Sequence, residues 1–62
     1  MMDKMLKPYM GMQIEKSYSL RVDGSIDNDS VIYTAYLNDG DLFDCDSSLK
    51  VLKNKIKVYQ TI

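Results

Sequence analysis

Seven aspartates lie between residues 23 and 46: Asp23, Asp27, Asp29, Asp39, Asp41, Asp44 and Asp46. No lysine or arginine interrupts them. Carboxylates at such density suggest three kinds of chemistry. As turn residues they accept hydrogen bonds from their own backbone and balance lysines elsewhere in the fold. As hard oxygen ligands they would suit calcium, but Asp27-Asn28-Asp29-Ser30 and Asp39-Gly40-Asp41 both lack the glycine position and distal glutamate of a twelve-residue calcium loop. As fixed negative charge they could occupy a basic groove on another protein, taking the sites that normally hold phosphates.

A second group is cationic. Lys50, Lys53, Lys55 and Lys57 crowd the last third of the chain, with Tyr59 close behind. Four lysines without arginine attract phosphate and give little base-specific readout, while Tyr59 offers a stacking platform. Residues 1–22 carry +2, the centre −7 and residues 47–62 +4, so the net charge of −1 is a cancellation. The neutral total argues against bulk nucleic-acid binding and leaves an electrostatic partner open.

Catalytic chemistry is poorly supplied. The chain has no histidine, which removes the usual general base near neutral pH and any Ser–His or Cys–His pair. Cys45 stands between Asp44 and Asp46, whose charges oppose thiolate formation. It reads as a small core residue in a reducing cytoplasm. One cysteine without histidine makes neither an internal disulfide nor a zinc site. Gly11, Gly24 and Gly40 are isolated, so no phosphate loop is present. The expectation is a non-enzyme without cofactor or metal.

The elements that hold these residues follow from periodicity. Met12, Ile14, Lys16, Tyr18, Leu20 and Val22 alternate with polar residues, predicting a half-buried strand over 12–22. Lys16 breaks the apolar row, as a bulge, an edge or an outward-reaching stem would. Residues 23–30 are rich in turn formers and read as a loop. Residues 31–37, VIYTAYL, predict a central strand, and Asp39-Gly40 a hairpin turn into a strand over 41–45 with Phe43 and Cys45 on one face. The last segment reads two ways. Leu49, Leu52, Ile56 and Tyr59 have helical spacing, whereas Ile56, Val58, Gln60 and Ile62 alternate. A short helix over 48–53 followed by a strand over 55–62 is the expectation, with a single helix as the alternative. Residues 1–11 form an N-terminal segment, frayed or helical from Met1 to Lys7 and ended by Pro8.

The fold expected is therefore mainly β: one domain over 12–62, a small antiparallel sheet or open barrel of about four strands with one short helix. Ile14, Tyr18, Leu20, Val31, Tyr33, Leu37, Phe43, Leu52, Ile56 and Val58 are its expected core. With 62 residues and a core too small to bury more than about 60% of the chain's surface, self-association is a natural means of support. The function expected is a small cytoplasmic interaction protein, an inhibitor or adaptor of the mobile-element type. It would present its aspartates to the basic groove of a nucleic-acid-handling enzyme. A nucleic-acid module using the C-terminal lysines and a structural homo-oligomer are the alternatives. No run of about 18 apolar residues is available to span a membrane.

Overall fold

A computed structural model describes residues 2–61; Met1 and Ile62 lie outside the described residues. Four antiparallel strands, β1 (Met2–Met5), β2 (Gln13–Leu20), β3 (Ile26–Tyr36) and β4 (Leu42–Asp46), form an open sheet in chain order. One helix, α1 (Leu49–Gln60), packs across β3 and β4 on one face. The mainly β architecture expected from the sequence is what the chain adopts.

Alternation along β2 decides the faces. Ile14, Lys16 and Tyr18 point to the helix side with their cross-strand partners Ala35, Tyr33 and Met2, while Glu15 and Ser17 stand on the open side opposite Thr34 and Ile32. Met12, Ile14, Ala35, Leu52 and Ile56 make the central cluster, with Leu6, Tyr9, Tyr33, Leu37, Phe43 and Leu49 packed around it. Val31 is also buried. Tyr18, Tyr33, Leu37 and Phe43 are half-buried, whereas Leu20 and Val58, both expected inside, are exposed. Met12, at the head of the alternating row, and Ala35 are core residues that the expected core did not include.

Two hairpin turns share one design. In Arg21–Ser25 and Leu37–Asp41 the first residue's N–H donates to the fifth residue's carbonyl (2.7 and 2.8 Å), and the glycine N–H returns to the first carbonyl (2.9 Å in each). The aspartate before the glycine accepts the fifth residue's N–H in both (3.0 Å). Gly24 and Gly40 have φ of 88° and 89°, a left-handed conformation that side chains resist. The loop expected over 23–30 thus contracts to five residues, and Asp27 and Asp29 move into β3. Extra residues are absorbed within the sheet. Between the pairs Ser17↔Ile32 and Ser19↔Asp27, β3 spends residues 28–31 where β2 spends only Tyr18. Ser30 closes the gap: its hydroxyl oxygen accepts from Ser19 N–H (2.8 Å) and its O–H donates to the Asp27 carbonyl (2.7 Å).

Both ends of the chain differ from expectation. Residues 2–5 form a strand, because Met2–Met5 can pair in register with Tyr18–Glu15, and a lone helical turn would leave that edge unpaired. The strand expected over 55–62 is absent among the described residues, and α1 continues to Gln60. Leu52 and Ile56, four residues apart, are both fully buried against the sheet. A fifth strand would have left Ile14 and Ala35 without a cover. Ser48 caps the helix, accepting from Val51 N–H at 3.4 Å.

Candidate functional site

Local geometry occupies most of the aspartates. Asp23, Asp27, Asp39 and Asp46 each accept an N–H from the residue two positions on, and Asp44 accepts from Cys45 (2.7 Å). Such turns are the ordinary structural use of aspartate. Asp23 is held below the usual carboxylate range first by the Ser25 hydroxyl (2.6 Å) and then by the Ser25 N–H.

The topology then separates them. In an antiparallel meander successive turns fall at opposite ends, so Asp23, Asp27 and Asp29 lie at one end of a molecule 44 Å long and Asp39 and Asp41 at the other. Asp44 and Asp46 face the helix, where the Lys55 ammonium sits 3.5 and 3.3 Å from them. Asp46 is lowered chiefly by the Ser48 N–H and then by Lys55, and the Lys55 ammonium is raised chiefly by its bond to Asp46. The seven carboxylates therefore form no common patch. Among the described residues, no group of three or more acidic, cysteine or histidine side chains is placed to hold a metal.

A bulge explains why Asp44 faces inward. Asp44 pairs with Ala35, but the register slips before Leu42↔Tyr36, which brings the consecutive residues Phe43 and Asp44 to the helix side. Phe43 meets the Tyr59 ring at 4.9 Å between centroids. Cys45 lands opposite Thr34 on the open face and is exposed, so it is no core residue. On that face Met5, Ile32 and Leu42 are exposed beside half-buried Tyr36. The Tyr36 hydroxyl is raised by burial and then by Glu15, to which it donates at 3.4 Å.

The lysines divide in the same way. Lys55 and Tyr59 turn toward β4 and are engaged there, so the C-terminal cationic set is incomplete as read from the sequence. Lys50, Lys53 and Lys57 line a shallow groove of about 640 Å³ with Val51, Asn54 and Tyr9. Tyr9, far away in the chain, sits with its ring 5.2 Å from the Lys53 ammonium. Sequence spacing gave no sign of it; the β1–β2 connection brings it there through the Tyr9↔Met12 bridge. Lys16 lies over both Tyr18 (5.6 Å) and Tyr33 (5.9 Å), which accounts for a lysine on an otherwise apolar row.

One element stands apart. β4 pairs only with Tyr33–Tyr36, and α1 covers β3 and β4. Beyond Tyr33 the β2–β3 hairpin therefore continues as an arm without a helix over it. Its tip exposes Leu20, Val22 and Ile26 among Asp23, Asp27 and Asp29, with Arg21 3.9 Å from Asp27. No described helix is long and apolar enough to cross a membrane. Compared with protein-family models, curated proteins and solved structures, the chain matches none.

Proposed function

We propose that this chain is a non-enzymatic protein-interaction module whose contact surface is the tip of the β2–β3 arm. The observation that carries the reading is the arm itself. It projects past the helix and presents Leu20, Val22 and Ile26 to solvent, with Asp23 in the turn between them and Asp27 on the opposite face of the sheet from Leu20 and Ile26. Exposed apolar residues with carboxylates close by have the composition of a docking site. The excess of carboxylate selects a basic groove, of the kind found on nucleic-acid-handling proteins. The partner of an inhibitor or adaptor of this type would be met by Asp23, Asp27 and Asp29, while Asp39, Asp41, Asp44 and Asp46 serve the turn, the strand edge and the helix.

The test is affinity capture from native host extract with three baits: the parent chain, D23N/D27N/D29N, and Val22→Ser. Proteins retained by the parent should be lost from both variants and released by added salt from the parent. Retention of the same proteins by all three baits would overturn the assignment. A second reading, self-association through the open sheet face, is favoured by exposed Met5, Ile32 and Leu42 on that face. Sedimentation at two concentrations decides it: a monomer at both removes this reading.

A further inference from the structure

We infer that the groove between the Tyr9 turn and the outer flank of α1 binds single-stranded nucleic acid through its phosphates and an unpaired base. Lys50, Lys53 and Lys57 are spaced three and four residues apart on one helix, which places them on one side at axial steps of about 4.5 and 6 Å. None of them takes part in the ion pairs found among the described residues. No carboxylate lines the groove; its walls are the three lysines, Val51, Asn54 and Tyr9. An unbalanced row of three ammonium groups calls for a partner with repeating negative charge.

Tyr9 narrows the class of polyanion. Its half-buried ring lines the groove beside the lysines, with the Lys53 ammonium over it at 5.2 Å from its centre. An aromatic face beside a cationic track suits a splayed base, which a strand offers and a closed duplex does not. The same sheet face continues the pattern past the start of α1. There Lys16 lies over Tyr18 and Tyr33, with Lys4 directly across the strand. Lysine without arginine gives backbone capture with little sequence preference. This site is separate from the arm tip, and the two can succeed or fail independently.

Fluorescence anisotropy of a labelled single-stranded oligothymidine tests the inference. Three phosphate contacts to a single strand predict a log–log salt slope of about −2.1, so affinity should fall about 18-fold between 50 and 200 mM salt. K50Q/K53Q/K57Q should abolish binding at low salt. Tyr9→Leu should weaken it at least about five-fold while Tyr9→Phe preserves it. R21Q and the arm variant D23N/D27N/D29N should bind the strand as the parent does. Because Tyr9 also packs on the core, the triple lysine variant, whose sites are on the surface, decides the matter. The proposal is overturned if that variant binds like the parent, if the salt slope is near zero, or if polyglutamate displaces the strand as readily as unlabelled oligothymidine.

Discussion

Truncating Ile56 to alanine should cost about 2–5 kcal/mol, the range for emptying a buried aliphatic site that only partly relaxes. Ile56 is fully buried, and its neighbours Ile14, Ala35 and Leu52 are equally closed to solvent, so little is free to refill the space. A chain of 62 residues has a stability of only about 3–9 kcal/mol at the usual value per residue. The variant should therefore be marginal or unfolded at room temperature. Ile56→Val should cost about 0.5–1.5 kcal/mol and remain measurable. Val58 is the internal control. A C-terminal strand would turn Val58 inward beside Ile56, whereas α1 leaves it about half exposed (53%). Val58→Ala should stay within about 0.5 kcal/mol of the parent, helped by alanine's higher helix propensity. Urea titrations followed by far-ultraviolet circular dichroism give all three numbers by linear extrapolation. Comparable losses at positions 56 and 58 would refute the docked helix, and so would a loss below about 1 kcal/mol for Ile56→Ala.

Three more outcomes are expected. Ser30→Ala removes the hydroxyl that serves both Ser19 N–H and the Asp27 carbonyl; it should cost about 1–3 kcal/mol and speed hydrogen exchange at the Ser19 amide while leaving α1 amides unchanged. Met10 holds a left-handed backbone (φ 52°), so Met10→Asn should raise stability by up to about 1 kcal/mol, read as a higher denaturation midpoint. Stability against pH should be flat between roughly pH 4 and 10. Asp23 and Asp46, held low in the folded chain, withdraw their contributions as pH falls below the ordinary carboxylate value. Lys55 and Tyr36, both held high, withdraw theirs as pH rises through their raised values. An acid limb missing from thermal melts of the parent but present in D46N would contradict that account.

The sequence was most legible where one physical demand acted alone. Alternation over β2, broken only at Lys16, has no competing explanation, and the Asp39-Gly40 turn announced its hairpin. Asp23-Gly24 carries the same dipeptide with a serine in the fifth position, but the polar residues after it masked the turn. Asp27, Asn28, Asp29 and Ser30 look like loop and are in fact an irregular stretch of β3, tolerated because Ser30 replaces the missing ladder bonds. The C-terminal ambiguity was real at the level of pattern. Only the need to cover Ile14 and Ala35 selects helix over strand, and that need is tertiary. The charge map left the placing of the carboxylates open for a related reason. Spacing along the chain says how many carboxylates there are, but the meander decides that consecutive turns point apart. Tyr9 beside Lys53 could be known only once the fold had closed.

That alternation of turns has an electrical consequence. One end of the molecule holds Arg21, Asp23, Asp27 and Asp29, a charge of −2, and at the other Asp39 and Asp41 share their end with the last turn of α1, which carries Lys57. With charges of both signs spread over a 44 Å molecule, the field far from the surface is little more than that of the net −1. With a screening length of about 8 Å at physiological salt, the two ends do not sense one another, and a distant partner has almost nothing to orient by. Association should thus proceed at ordinary diffusional rates with little steering. Charge would be read only at contact, separately at each end and along the middle.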